Sequence, residues 1–411
     1  MSRILVMTDA PNLPTGQARV GREIAAGLKR HNHDVGYFGW FQIPEISMSA
    51  PEGMPYWWTN NKYYGSDALD SVVNRFQPDI LLTIGDFWNL NYIADPTICK
   101  TRRWFQWCSY IPVDGEPIGG GLPPGIAPIV QDIDIPVAYT EYAKAAVMKS
   151  VFDQETRNRI RVIYHGVDTN VFKPDPAERK KIRQQYGIDD KFVFLTVSRN
   201  QSRKNIPELF RAWKMFSETP RAKDNVILWP HMNFNDSAGW NIDDMISILD
   251  LKNQSIMYYN TVAHSSGHLI TVPDAEVARL YQIADAFILI SGEGFGLPIF
   301  EAMATGLPCI LLNHSAASEL GAEGRSHLID INDFITWTGA HLTQRPIPRI
   351  ENVAAAMEKV FLDASYRSKI AAAGHEFAKR YTWDSVVAEW NALFMEHEVP
   401  FAKPMKMEVI A

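Results

Sequence analysis

Cysteine is scarce: 411 residues contain three, Cys99, Cys108 and Cys309, and none lies in a CxxC pair. So odd and sparse a set excludes a disulfide framework and a cysteine-rich zinc site, and it suits a reducing compartment. Long apolar runs are also missing, and nothing approaches the length that crosses a bilayer. The opening "MSRILVMTDA" reads as a first buried strand and not as a signal peptide. A cytoplasmic location is therefore expected. There is no excess of positive charge either: the formal net charge is -7. That argues against a chain wrapped by nucleic acid or held on anionic lipid. It leaves three local basic runs, "KTRRW" (100–104), "RNRIR" (157–161) and "ERKKIR" (178–183), whose default reading is a solvated face. No solenoid-length repeat and no low-complexity tract occurs. Finally, "DAPNLPTGQARVG" after the first strand lacks GxGxxG, which removes the usual fingerprint of a nicotinamide dehydrogenase.

What is present is a globular composition, 46% hydrophobic and 21% charged, in a chain too long for one ordinary core. Short apolar runs alternate with helical patterns. "RILVMT" is followed by a loop and then by Val20, Ile24 and Leu28 at helical spacing. "PDILLTIGD", "IPVAYT" and "IRVIYHG" read as further buried strands. The pattern restarts after "VFKPDPAERKK", whose two prolines and charge run place a domain boundary at 174/175. Beyond it "KFVFLTVS", "NVILWP", "SIMYYN", "AFILIS" and "PCILLN" are expected strands of a second sheet. Such alternation predicts an α/β chain with two doubly wound, parallel-sheet domains and ligands at the carboxyl ends of their strands. The domains expected are 1–174 and 175–378, then a helix over 379–397 containing "TWDSVVAEW" and a loosely ordered tail, 398–411.

The stretch "ISGEGFGLPIFEAMATG" (290–306) sets Glu293 before a glycine turn and Glu301 within the helix that follows. Pro298 near the first helical position and Gly306 as a stop frame that helix. Its free N–H groups face the turn and make an anion site, while Gly294 and Gly296 let a ligand approach the backbone. Carboxylates repel phosphate, so Glu293 and Glu301 suit neutral hydroxyls. Taken alone, the stretch is equally an ordinary strand–loop–helix connection. "LTVSRNQSRKN" adds Arg199 and the Arg203–Lys204 pair after the domain's first strand, the cations a diphosphate needs. Diphosphate donors beside hydroxyl acceptors fit a nucleotide sugar.

With these residues in view, the sequence resembles the retaining GT-B glycosyltransferases of family 4. "EGFGLPIFEAMATGLPCI" is similar to that family's E-x7-E signature, and "PDAEVARLYQIADAFILIS", "SRNQSRKN", "YHGVDTNVF" and "YTWDSVVAEW" extend the likeness. The resemblance implies two Rossmann-like domains facing a cleft, the first on the acceptor side, with the terminal helix around Trp383 crossing back onto it. It implies that Glu301 binds the nucleotide ribose, Glu293 the donor sugar, and the backbone of Phe295, Gly296 and Leu297 lies against sugar and phosphate. Arg199 and Lys204 would neutralise the diphosphate, and Gly16 in "LPTGQ" would approach the donor phosphates. Where the family often has a histidine after the middle strand of the first domain, this chain has "CSYIPVDGEPI". Asp114 is the polar group available there, as an acceptor-orienting group, a weak base or a turn residue. The usual glycine after the second strand of the second domain is replaced by "WPHMN" (229–233).

Metal signals are weak. Asp132 and Asp134 form a literal DxD in a connecting loop, and His264 and His268 in "HSSGH" have helical spacing without a third ligand. Trp57, Trp58, Tyr63 and Tyr64 are a candidate acceptor platform. The expectation is a metal-independent transferase that needs no cofactor beyond a nucleotide-sugar donor and passes the sugar to an acceptor hydroxyl. The acceptor and the oligomeric state are left open. The alternatives are a transferase acting on a macromolecule such as hydroxymethylated DNA, and a non-catalytic nucleotide-sugar-binding protein.

Overall fold

The computed structural model describes residues 1–41, 51–60, 63–251, 272–336 and 342–397. The expected strand "SIMYYN", His264, His268 and the tail 398–411 lie outside them. The chain divides into two compact units. Unit 1 is Met1–Pro112, Gly120–His165 and Trp383–Ala411; unit 2 is Val113–Gly119 and Gly166–Thr382.

Unit 1 is built on a seven-stranded parallel sheet. Its strands are β1 (Arg3–Asp9), β2 (Asp34–Trp40), β3 (Tyr56–Thr59), β4 (Ile80–Ile84), β5 (Gln106–Ile111), β6 (Ile135–Ala138) and β7 (Arg161–Val162), ordered β3-β2-β1-β4-β5-β6-β7. The near-continuous apolar runs of β1 and β4 are buried throughout, as strands covered on both faces must be. The helix Gly16–Arg30 starts on a Thr15 cap, whose hydroxyl accepts from the Ala18 N–H at 3.1 Å. Val20, Ile24 and Leu28 form its buried stripe. The chain's last described helix, Trp383–Glu396, packs against this one. A Cβ on Gly27 would come within 2.4 Å of Val387, so the close approach depends on glycine there. Trp390 meets Tyr110 edge-on at 4.9 Å, and Asn391 bonds His33 at 2.9 Å.

The basic runs have structural tasks. Arg102 pairs with Asp134 at 3.0 Å, Arg157 donates to the Val151 and Met148 carbonyls, and Arg159 to those of Ile133 and Asp134. Asp134 also accepts from the Trp107 N–H at 2.7 Å. One half of the DxD is thus a strand-edge fixture.

Among the described residues, unit 2 carries a five-stranded parallel sheet and an antiparallel strand pair. The strands are β8 (Phe192–Val197), β9 (Val226–His231), β10 (Ala286–Leu289), β11 (Cys309–Leu312) and β12 (His327–Ile329), ordered β12-β11-β10-β8-β9. β13 (Ile331–Thr336) and β14 (Gln344–Pro348) pair antiparallel. Phe194, Ile288, Ile310, Trp213 and Phe216 belong to one core with the helices Ile206–Ser217 and Ile350–Leu362. Arg179 and Arg183 of the third basic run both bind Asp285, at 2.6 and 2.9 Å, and tie the helix Pro176–Tyr186 to the start of β10. Residues 113–119, which follow β5 in the chain, belong to this unit: Pro117 bridges to Thr343 and the Gln344 N–H donates to the Glu116 carbonyl at 2.8 Å.

Candidate active site

The glycine turn sits where the sequence pattern puts it, between β10 and the helix Leu297–Ala304. Gly296 has φ +98°, and a Cβ there would lie 2.7 Å from Ile299, so both conformation and space restrict the position to glycine. Pro298 occupies the first turn, and Gly306 follows the helix with φ +81°. Phe295 is buried edge-on against Phe300 at 4.9 Å. Its ring serves the core, which leaves the backbone of Gly294, Phe295, Gly296 and Leu297 as what the turn offers a ligand.

Glu293 and Lys204, 89 residues apart in sequence, are in direct contact through Oε1 and Nζ, and both are buried. Lys204 ends the short turn Ser202–Lys204 that follows β8, and Glu293 follows β10, the strand next to β8. The Glu293 carboxylate also accepts from the Ser291 hydroxyl at 2.7 Å, and its N–H donates to Ser315 Oγ at 2.9 Å. Burial works against the charge of Glu293, yet the Lys204 and Arg203 cations hold its pKa below the usual range. Lys204 is brought down to about 8, first by burial and then by Arg203, with Glu293 pulling the other way.

Arg203 donates to the Gly292 carbonyl at 3.2 Å and lies 3.3 Å from Asp114. Asp114 in turn meets Arg345 of β14 at 2.7 Å. Burial opposes its charge, but the two guanidinium groups outweigh that and keep the carboxyl below its ordinary pKa. A carboxylate clamped in this way is a poor proton acceptor, so the geometry favours a structural or orienting role for Asp114 over that of a weak base. Its backbone carbonyl lies against Gly292, where a Cβ would come within 2.7 Å.

Glu301 is buried in the helix Leu297–Ala304 and accepts from the Tyr281 hydroxyl at 2.6 Å. Arg199 is held by Asp236 through Nε at 2.7 Å and Nη2 at 3.3 Å, with its own side chain 55% exposed and that of Asp236 5%. Asn205, in the left-handed region at φ 51°, donates its amide to the Ile290 and Pro346 carbonyls, both at 2.8 Å. It thereby ties the end of β10 to β14. His231, at the end of β9 in the "WPHMN" segment, is driven down to about 4 by burial and is neutral at pH 7.

Unit 2 therefore brings together Lys204, Glu293, Asp114 and the glycine turn, with Glu301 within the helix that the turn opens. Gly16 belongs to unit 1, where it is the exposed first residue of its helix. The sequence reading did not single out Tyr281, Asp236, Asn205 or Arg345. Tyr281 lay within a segment already noted for its likeness to the family; Asp236 and Arg345 carried no local signal.

Comparison with known proteins agrees with this fold. The architecture is the GT-B class. A crystal structure of Anabaena HepE in complex with UDP-glucose superposes with a TM-score of 0.70 at 17% identity, covering 96% of this chain and 100% of that one. Residues 262–377 match the family model described as glycosyl transferases group 1. The O-antigen chain mannosyltransferase B of Escherichia coli is 25% identical over 215 residues, which are 52% of this chain and 48% of that protein. Mannosylfructose-phosphate synthase of Agrobacterium fabrum is 26% identical over 245 residues, 58% of this chain and 48% of that protein. The chain spans about half the length of these curated relatives. The likeness to glycosyltransferases is thus met by the family model over residues 262–377 and by the relatives.

Proposed function

We propose that the protein is a retaining glycosyltransferase that moves a sugar from a nucleotide-diphosphate sugar to an acceptor hydroxyl without a metal ion. The observation that carries this reading is the Lys204–Glu293 contact at a glycine turn. There, a cation for phosphate and a carboxylate for sugar hydroxyls converge at the carboxyl ends of adjacent strands. Ligands of open α/β sheets bind at such strand ends. The glycosyltransferase relatives and the GT-B fold support it.

In this mechanism the bond between the anomeric carbon and the diphosphate oxygen breaks. A bond from the acceptor oxygen to the same face of that carbon forms, and the acceptor proton passes to the departing phosphate oxygen. Lys204, Arg203 and the N–H groups of the helix Leu297–Ala304 stabilise the charge that grows on the diphosphate. Glu301, aimed by Tyr281, accepts from the ribose hydroxyls.

The first test is a thermal-shift screen of UDP-, GDP- and ADP-sugars. A donor that binds the native state alone raises the melting temperature by mass action. Turnover with the active donor is then followed in saturating EDTA, with the anomeric configuration of the product read by NMR. Activity that vanishes on chelation and returns with manganese overturns the metal-free reading, and an inverted product overturns retention. A screen in which no sugar nucleotide moves the melting temperature removes the donor site itself.

A further inference from the structure

Glu293 stands between Gly292 and Gly294, and two flanking glycines give its backbone more freedom than a placed carboxylate can use. The loop after β11 removes that freedom. Its Ser315 hydroxyl accepts from the Glu293 N–H at 2.9 Å, and the next residue, Ala316, donates its N–H to the Glu293 carbonyl at 3.4 Å. The two segments are closely packed: a Cβ on Gly292 would come within 3.0 Å of the His314 ring and 3.5 Å of Ser315 Oγ. Ser315 is 1% exposed, so its bond to Glu293 is shielded from water. The carboxylate end is held separately, by the Ser291 hydroxyl at 2.7 Å and by Lys204. Ser315 therefore supplies the backbone half of the restraint.

The backbone of Ser315 is under strain. Its φ is 49°, in the left-handed region where a side chain costs free energy and glycine does not. Gly296 and Gly306 meet the same demand with glycine, at φ +98° and +81°. Asn205 meets it at φ 51° with a side chain whose amide holds the Ile290 carbonyl, just past β10. Ser315 follows Asn205: the strain is kept where a side chain ties down the segment that carries Glu293. Strain held in this way points to a role at the site. We propose that Ser315 is a positioning residue for the donor sugar, fixing the peptide of Glu293 and through it the carboxylate that the sugar hydroxyls meet. This rests on the reading of Glu293 as the sugar-binding acid. On that reading a nucleoside diphosphate without its sugar makes no use of Glu293, so the effect of Ser315 is confined to the intact donor.

The experiment is calorimetry on the full chain with UDP and UDP-glucose, GDP and GDP-mannose, and ADP and ADP-glucose, continued with the pair that wild type binds most tightly. The quantity read is the ratio of sugar-nucleotide affinity to diphosphate affinity, in wild type, Ser315→Ala, Ser315→Gly, Glu293→Ala and the Ser315→Gly/Glu293→Ala double variant. Both Ser315 variants lack the hydroxyl, but only Ser315→Gly relieves the left-handed strain, so it should melt above Ser315→Ala. The ratio should nevertheless fall about fivefold in both alike, the worth of one hydrogen bond, with diphosphate affinity unchanged. In the double variant it should stand within about twofold of Glu293→Ala, since a support has no effect once its load is gone. A loss that follows the melting temperature, large in Ser315→Ala and absent in Ser315→Gly, makes Ser315 a structural residue only and overturns the proposal. So does an equal loss for both ligands, or a further fall in the double variant as large as in Ser315→Gly alone. Should Ser315→Ala fail to fold, Ser315→Gly decides alone, and an unchanged ratio there overturns the proposal. A wild type that binds none of the three sugar nucleotides removes the donor reading and this inference with it. Normal wild-type binding with a failed pattern among the variants removes only this inference.

Discussion

In unit 1 the first strand, β1, ends in Asp9, whereas in unit 2 the first strand, β8, leads to Arg203 and Lys204. Both sheets are parallel, but the charge gathered beyond the strand ends is opposite. Asp9 is surrounded by neutral donors, the Thr15 hydroxyl at 2.5 Å and the Trp40 indole at 2.7 Å, and burial raises its pKa. Asp9 and Asp86 both push up the pKa of Tyr64, whose shift burial leads. Unit 2 instead gathers guanidinium and ammonium groups around Asp114 and Glu293. A common backbone plan thus says where a ligand meets a sheet, and only the side chains say which sign of charge is welcome.

The difference predicts that variants removing charge in unit 2 act on catalysis and anion binding. Lys204→Ala should show the largest effect. An interaction that strengthens as charge develops on the diphosphate affects turnover more than donor affinity. Losing one such donor costs on the order of 10²–10³ in rate. Steady-state kcat beside donor Kd is the measurement, and equal losses in both would return Lys204 to ground-state binding.

Next come the two glutamates. Glu301→Ala should weaken nucleoside diphosphate binding about tenfold, the loss expected for one charge-assisted hydrogen bond. Tyr281→Phe should do the same to a smaller degree, through the orientation of the carboxylate. Glu293→Ala should slow transfer while leaving diphosphate affinity unchanged or higher, because it removes a competitor for Lys204. Calorimetry with the diphosphate and with the sugar nucleotide separates these patterns, and small, equal effects would make both residues mere helix and loop furniture.

The pH dependence follows from Lys204, whose pKa of about 8 is set first by burial. The ammonium form, which the proposed site uses to bind the diphosphate, prevails below that value. Affinity should therefore hold through neutral pH and fall as pH rises through about 8, by up to about tenfold per unit. Lys204→Arg, with a group that does not titrate in this range, should flatten the profile.

Asp236→Asn should have the smallest effect. Arg199 is more than half exposed, so solvent screens the pair, and denaturant unfolding should show a loss of about 1 kcal/mol or less. Donor affinity should move only as far as Arg199 loses its fixed direction.

Much of this was legible in the sequence. The runs "RILVMT", "PDILLTIGD", "KFVFLTVS", "NVILWP", "AFILIS" and "PCILLN" hold β1, β4, β8, β9, β10 and β11, because buried parallel strands are written as continuous apolar stretches. The helix after Gly296 was legible from its proline and its glycines. "IRVIYHG" was not as simple: only Arg161 and Val162 pair as a strand, at the sheet edge. The antiparallel pair β13–β14 was missed, since its exposed first strand "INDFIT" has no buried face to impose a pattern. Charge partners were the least legible part. Asp236 lies 37 residues from Arg199 and Tyr281 lies 20 from Glu301, and nothing in either residue's own neighbourhood announces its partner. Asp114 could not be read as clamped, because Arg345 reaches it from a strand pair that the sequence did not reveal.

If Lys204 and Glu293 form the donor site proposed above, their contact has a bearing on what leaves the protein after a turnover. The lysine has an anionic companion inside its own chain. An incoming phosphate group has to displace that carboxylate and leave it in need of new hydrogen bonds. A sugar nucleotide brings both replacements at once, phosphate oxygens for Lys204 and sugar hydroxyls for Glu293. The spent nucleoside diphosphate brings only the first. On that reading Glu293 would compete with the product for Lys204, so the same ion pair that rewards a whole donor would hasten the departure of a used one.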